Sequence, residues 1–306
     1  MSLKERTSLD FSLPFRSDGL ETDPSWYAIV LPKVIVFSAI LIVPFFGAVY
    51  ISLHQWDPLA ATHPFIGLEN YVQLFQDPVF WISLKNTIGF SLGLLLIDVP
   101  IALGLALLLD KNLRGTRFYS TAIFLPVVTS WVVVSLIWTW IYNPNYGLLN
   151  TALRTVGLPT FEWLNSTDTA LLSIILMSIW KHIGFNMVLF LSGLKSIPDV
   201  YYEAAKMDGA TRFNRFRYIT LPLLKSTSVF VVIVTMILSF RLFTQVFVMT
   251  GGGPVNSSYS LVFYFYEQGF SQFKMGYASA LAVVLFVVVF VLSLLQQKSW
   301  GDDVEY

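Results

Sequence analysis

Six apolar runs limit what this chain can fold into, because each is long enough as a helix to cross the core of a bilayer. They cover residues 34–53, 87–109, 119–142, 170–194, 223–249 and 276–295. A transmembrane helix needs about 20 such residues, and an α-helix satisfies its own backbone polar groups in lipid. Only 12% of the residues are charged, whereas soluble domains have about 25%. We therefore predict an all-α membrane protein with six transmembrane helices.

Basic residues are distributed unequally between the two sides of the predicted membrane. Fourteen Lys and Arg residues lie in the two tails, with Lys33 counted beside the first, and in the loops at 110–118 and 195–225. The alternate loops contain only Lys85, Arg154 and Lys274. Cytoplasmic loops carry the excess of Lys and Arg. We therefore expect a multi-pass protein of the cell (inner or plasma) membrane with cytoplasmic termini, a polar tail at 1–25 and a transmembrane domain at 26–306.

Short helices outside the membrane are predicted in two of the other loops. Leu68, Tyr71, Val72 and Phe75 recur at helical spacing and indicate an interfacial helix in the loop at 54–86. The segment YGLLNTALRTVGL, at 146–158, indicates a second short helix.

Several chemistries find no support in this sequence. The chain has no cysteine, and His54, His63 and His182 are scattered without ligand spacing, so we expect no metal site. No GxxxxGK[ST] segment is present to hold a nucleotide phosphate. The net charge is zero, so the sequence lacks the excess of basic residues that is typical of nucleic-acid-binding proteins. We expect no catalytic residue and no cofactor bound by this chain itself.

A polar, Arg-rich segment between two long apolar runs reads SIPDVYYEAAKMDGATRFNRFRYITLP, from Ser196 to Pro222. Ser196 is predicted as the N-cap of a short helix with Pro198 in its first turn. Gly209 then interrupts the helical pattern, because glycine can adopt a positive φ, and a second short helix follows. Three arginines crowd that second helix, which indicates an acidic partner surface or, alternatively, a solvated face beside anionic lipid. Two helices meeting at a glycine predict a docking knob for a soluble partner.

The order EAA, DGA and TLP within this segment resembles the cytoplasmic loop of permease subunits in ATP-binding-cassette (ABC) importers, most closely their carbohydrate and glycerol-phosphate branch. FLPVV at 124–128, NPNYGLLN at 143–150 and TGGGP at 250–254 extend the resemblance over nearly the whole chain. It implies the type I importer permease fold, with coupling helices that contact the ATPase. The positions that match the coupling segment are Glu203, Ala204, Ala205, Asp208, Gly209, Ala210, Arg212, Arg215 and Phe216.

The resemblance also implies partners. They are a second permease that forms a heterodimer with this one, two ATPase subunits, an extracytoplasmic solute-binding protein and membrane lipid. ATP and Mg would be bound by the ATPase subunits. The solute stays open between a sugar, an oligosaccharide, a polyol and glycerol phosphate.

Three charged residues, Asp98, Lys181 and Arg241, fall inside the predicted spans. A charge at a helix centre costs roughly 2.5–3.5 kcal/mol on insertion scales, so each should face the protein interior and have a partner. One interpretation pairs Asp98 with Arg241 or Lys181. The other makes them a polar lining for a hydroxyl-rich solute. In the resembling importers spans four and five line the route, and the candidate pathway residues there are Gly184, Asn186, Ser239, Arg241 and Gln245.

Two other function classes fit this sequence less well than the importer permease. An ion-coupled secondary transporter usually carries coupling carboxylates near the bilayer midplane, and here Asp98 is the only carboxylate in a predicted span. A membrane enzyme would need a catalytic constellation, which the sequence does not offer.

Overall fold

A computed structural model describes residues 25–111 and 115–300, and these residues form helices and loops without a β-strand. Residues 1–24 of the predicted tail lie outside these ranges. In chain order the helices are α1 Ser25–Phe37, α2 Val43–Ser52, α3 Glu69–Gln76, α4 Pro78–Gly93, α5 Val99–Leu109, α6 Thr116–Val128, α7 Trp131–Ile141, α8 Leu148–Thr155, α9 Ala170–Lys195, α10 Asp199–Met207, α11 Arg212–Arg215, α12 Leu221–Leu223, α13 Lys225–Ser239, α14 Thr244–Met249, α15 Leu261–Tyr266 and α16 Met275–Trp300. Five-residue π-helical turns join α1 to α2, α4 to α5 and α11 to α12.

The helices fit the predicted membrane architecture. Four continuous stretches are long and apolar enough to cross a bilayer: Val30–Ser52, Pro78–Leu109, Ala170–Lys195 and Met275–Gln296. Two bent helix pairs, α6 with α7 and the Arg212–Leu223 stretch with α13, bring the number of candidate spans to six. The two short helices predicted outside the spans correspond to α3 and α8.

The chain divides into two units, one ending at Gly47 and the other beginning at Ala48. The first contains α1 and the start of α2. In the second, α9 is central and packs against α5, α6 and α13. Ile174, Met177, Met187 and Phe190 of α9 are buried. Gly184 lies where α9 crosses α6 closely, because a Cβ there would stand 2.4 Å from the Ile123 carbonyl oxygen of α6.

The third span is not the straight helix that its apolar run predicts. Its two halves meet at 100°, because Thr129 and Ser130 are extended between α6 and α7. The break frees carbonyl groups at the end of α6. The Lys181 Nζ donates to the carbonyls of Pro126, Val127 and Thr129 at 2.9, 3.1 and 2.8 Å. Lys181 therefore stabilises a bent backbone, and its predicted pairing with Asp98 is wrong.

The second and fifth spans also differ from their predicted limits. The second begins at Pro78 rather than 87, because the Asp77 side chain caps α4 by accepting a hydrogen bond from the Val79 N–H at 2.8 Å. The fifth ends its first helix at Ser239, turns at 240–243 and resumes as α14. The Leu242 carbonyl freed by that turn accepts a hydrogen bond from the Ser260 hydroxyl.

Asp77 connects the start of α4 to the last part of the chain. The hydroxyls of Tyr264 and Tyr277 donate to its carboxylate, the latter at 2.7 Å. Burial raises the pKa of the Asp77 carboxyl, but the hydrogen bonds from these tyrosines and from the Val79 N–H outweigh burial and hold that pKa below its ordinary value. The carboxylate is thus ionised in neutral solution and fixes α15 and α16 against α4.

Candidate functional site

The loop between α9 and α13 forms the predicted pair of short helices. α10 ends at Met207, and Gly209 follows with φ +75°, which confirms the positive φ predicted for this glycine. The predicted N-cap is wrong. The Ser196 hydroxyl donates back to the Gly193 carbonyl at 2.8 Å and so belongs to the end of α9. α10 begins after Pro198, whose extended backbone starts the helix without a side-chain cap.

The outer surface of this loop is apolar and accessible. Met207 is 89% exposed and Phe213 is 71% exposed, although neither residue type is common on a water-exposed surface. Glu203, Ala204, Asp208 and Gly209 are also exposed, and Ala205 and Ala210 are half-buried. We call the exposed part of this loop, from Glu203 to Phe213, the crest. It has the composition of a surface that another protein covers.

The remaining predicted coupling residues have a different environment. Arg212, Arg215 and Phe216 line a cavity of about 700 Å³ that the end of α5 and residues of α10 also line. Their side chains therefore contribute to the inner side of the loop, and of the three only Arg212 also belongs to the crest.

A buried polar cluster connects the second, fourth and fifth spans. The Asp98 Oδ2 lies 2.8 Å from the His182 Nδ1 and accepts a hydrogen bond from the Asn186 amide at 2.8 Å. The same amide donates to the Thr235 hydroxyl at 3.0 Å. Asp98 is fully buried, so these contacts replace the water that its Oδ2 gives up, while its Oδ1 has no partner among the described residues. The predicted pairing of Asp98 with Arg241 is therefore wrong, and its partner is His182.

A cavity of about 330 Å³ lies beside this cluster, where four spans meet. It is lined by Phe90, Leu94, Trp131, His182, Leu238, Arg241, Thr244 and Gln245. Arg241 is exposed and, among the described residues, its side chain makes no hydrogen bond or ion pair. The cavity thus combines hydrogen-bonding groups with aromatic walls.

The structure brings together two of the five candidate pathway residues at this cavity, Arg241 and Gln245. The other three lie away from it. Gly184 faces α6, Asn186 holds Asp98, and the Ser239 hydroxyl lies 2.7 Å from the Ser91 hydroxyl. Sequence reasoning missed His182, which lines the cavity and pairs with Asp98. Its spacing of four residues from Asn186 places both on one face of α9, and that polar pair in an apolar run was the available signal.

Comparisons with known proteins agree on one family. Residues 81–298 match the family model described as "Binding-protein-dependent transport system inner membrane component". The chain is 39% identical to the probable ABC transporter permease protein YurN of Bacillus subtilis over 276 residues, which cover 89% of this chain and 94% of that protein. It is 33% identical to the sn-glycerol-3-phosphate transport system permease protein UgpA of Yersinia pseudotuberculosis, with 92% and 97% of the two chains covered.

Further similarity extends to an archaeal protein and to a solved structure. The trehalose/maltose transport system permease protein MalF of Thermococcus litoralis is 33% identical over 89% of this chain and 92% of its own length. A crystal structure of a bacterial ABC transporter involved in the import of the acidic polysaccharide alginate contains a chain that superposes with a TM-score of 0.81. That chain is 26% identical, and 94% of this chain and 98% of that chain are covered.

The Asp98–His182 contact predicts a specific pattern of stability. His182→Ala removes the ring that faces a buried carboxylate, and leaving a buried hydrogen-bonding group without its partner costs roughly 1–3 kcal/mol. The double variant Asp98→Ala/His182→Ala should lose less free energy of unfolding than the sum of the two single variants, because no unpaired carboxylate remains. Unfolding of the purified protein in detergent measures these differences.

Arg241 provides the control for this double-mutant cycle. Since Arg241 does not contact Asp98, Arg241→Ala and Asp98→Ala should be additive within about 0.5 kcal/mol. The contact between Asp98 and His182 would be contradicted if the free energies of unfolding were additive for that pair and non-additive for Asp98 with Arg241.

Proposed function

The chain belongs to the family of binding-protein-dependent transport system inner membrane components, and from that premise we propose that it is the permease subunit of an ATP-driven ABC importer for a sugar, an oligosaccharide, a polyol or glycerol phosphate. It forms half of the translocation pathway. A second permease forms the other half, and an extracytoplasmic binding protein delivers the solute. The observation that carries this proposal is an exposed apolar crest on a loop hinged at Gly209 and joined directly to the central helix α9.

The crest supports coupling to a separate ATPase. A short helix with exposed apolar residues can dock in a groove of another protein, and Met207 provides an apolar anchor for such a contact. Ala204 and Ala205 permit close approach, while Glu203 supplies a charge for a basic group of the partner. ATP and Mg are then bound by two ATPase subunits, and this chain binds no nucleotide itself. Closure of the ATPase pair moves the two coupling loops and opens the outer side of the pathway.

The cavity beside Asp98 supports recognition of a hydroxyl-rich solute. Arg241 and Gln245 offer donors and Gln245 also offers an acceptor, while Trp131 and Phe90 provide apolar faces of the kind found in small-molecule sites. The unpartnered guanidinium of Arg241 can bind a phosphate as well as hydroxyl groups. Relatives named for glycerol 3-phosphate and for trehalose and maltose are consistent with this solute range.

The coupling proposal predicts a strong effect at Gly209. A Cβ at Gly209 meets no other atom within 4 Å, so Gly209→Val acts only through the φ of +75°. A β-branched residue resists that backbone conformation. We expect Gly209→Val, and likewise Glu203→Lys, to insert in the membrane but to lose both the co-purifying ATPase and solute uptake.

Gly157 is the matched control for this experiment. Its φ is +74° and its Cβ position is equally open, but it follows α8 on the predicted outer side. Gly157→Val should therefore retain the ATPase and uptake. Normal uptake in the Gly209→Val and Glu203→Lys variants would show that this loop does not couple the two subunits.

The proposed orientation can be tested with single cysteines. Asn145 and Asn214 are both exposed and lie in loops that the distribution of basic residues assigns to opposite sides. In this cysteine-free chain, an impermeant thiol reagent added to intact cells should label Asn145→Cys but not Asn214→Cys. Labelling of Asn214→Cys in intact cells would reverse the orientation.

The solute cavity predicts a change in apparent affinity. Arg241→Met removes a charged donor worth roughly 1.5–3 kcal/mol when it is bonded, so the KM for uptake should rise by about tenfold to a hundredfold. Lys85→Met is the control, because Lys85 is an exposed cation of α4 outside the cavity. An unchanged KM in Arg241→Met, with the assembly intact, would remove Arg241 from the pathway.

A further inference from the structure

The inner side of the loop that carries the crest contains a second cavity, of about 700 Å³. We propose that it binds the headgroup of an anionic phospholipid. This inference rests on the proposed function only in placing the loop on the cytoplasmic side of the membrane. The ligand class follows from the two different surfaces that the cavity presents.

One surface of the cavity is apolar and belongs to a membrane span. Gly104, Leu107 and Leu108 come from α5, within the candidate span Pro78–Leu109. A Cβ at Gly104 would meet nothing within 4 Å, and Leu108 is 54% exposed. This surface is therefore an open groove at the depth of the acyl chains, and a lipid tail can lie along it.

The other surface is formed by charged residues beyond the end of that span. Lys111, Lys206, Arg212 and Arg215 are opposed only by Asp110 and Asp199, so the lining has an excess of two positive charges. Among the described residues, none of the four cations makes an ion pair or a hydrogen bond from its side chain. The Arg215 Nε is buried without a partner.

An unpartnered buried donor indicates a missing acceptor. Leaving such a group without a hydrogen bond is costly, and a guanidinium matches the oxygen geometry of a phosphate. Basic pockets between helices at the cytoplasmic surface are suited to anionic headgroups, and each nearby Lys or Arg strengthens the attraction. A phosphate at this position would satisfy Arg215 and hold α11 against the end of α5.

The combination of surfaces favours a lipid over an acidic protein. A soluble partner reaches the exposed crest, represented by Met207 and Phe213, but it does not fill a groove that continues along Gly104 into the span. An anionic amphiphile matches both the groove and the charges. Of the two interpretations of the crowded arginines, contact with anionic lipid is therefore the one that the cavity supports for Arg212 and Arg215.

The test measures lipid retention by the permease purified in its assembly. After delipidation, dioleoyl-phosphatidylglycerol or dioleoyl-phosphatidylcholine is titrated in, and lipid bound to the permease is counted by native mass spectrometry. We expect a preference for phosphatidylglycerol that Lys111→Gln/Lys206→Gln weakens by about tenfold or more. Lys195→Gln/Arg217→Gln is the matched control, because it removes two exposed cations of the same side that do not line the cavity.

Three results would overturn the proposal. Equal loss of phosphatidylglycerol in the two double variants would show that only overall charge matters. Displacement of the lipid by inorganic phosphate at equal concentration would identify a free phosphate site. Loss of the ATPase with unchanged lipid binding in Lys111→Gln/Lys206→Gln would assign these cations to an acidic protein surface. Lipid binding is counted independently of transport, so failed uptake with an intact lipid preference would count against the proposed function alone.

Discussion

The structure depends on satisfying charged and polar groups inside apolar helices without water. Lys181 and His182 are adjacent on α9, and each satisfies polar groups of a different neighbouring span. Lys181 donates to three carbonyls at the end of α6, and His182 faces the Asp98 carboxylate on the second span. One turn of one helix thereby positions the bent third span and the polar centre of the second. Because lipid tails are as apolar as the helix surfaces, close packing and hydrogen bonds between helices hold these crossings together.

The broken spans create the cavity beside Asp98. The extended residues between α6 and α7 allow Trp131 to begin a helix that runs at 100° to α6, and the turn at 240–243 brings Arg241 and Gln245 to the same space. Irregular backbone at membrane depth is tolerated where protein groups satisfy it or where it lines a cavity. Lys181 at the first break and Ser260 at the second provide that compensation, so the apolar spans can offer polar groups to a solute.

The sequence predicted the features that depend on local pattern and length. The number of spans follows from apolar runs, α3 and α8 from helical spacing, and the backbone of Gly209 from the conformational freedom of glycine. The partner of Asp98, the bends and the environment of Arg215 depend on residues far apart in the chain, which neither spacing nor composition specifies. Ser196 shows that even a local prediction from sequence can fail. A serine between two helices can hydrogen-bond to either one, and here its hydroxyl bonds to the end of α9.

A continuous set of helix contacts links the loop at 196–222 to the cavity beside Asp98. α10 begins four residues after the end of α9, and about 20 Å of rigid helix separates Lys195 from His182 at 1.5 Å per residue. Near the loop, Gly193 lets α9 approach α13 so closely that a Cβ there would stand 2.4 Å from the Thr227 hydroxyl oxygen. Further along α9, the Asn186 side chain donates a hydrogen bond to Thr235 of α13. Because α9 and α13 are joined at both levels, displacement of the loop moves them together. His182 and Leu238 line the cavity from these two helices, and His182 and Asn186 also hold Asp98 of the second span. The loop, the cavity and the second span are therefore connected through one set of contacts.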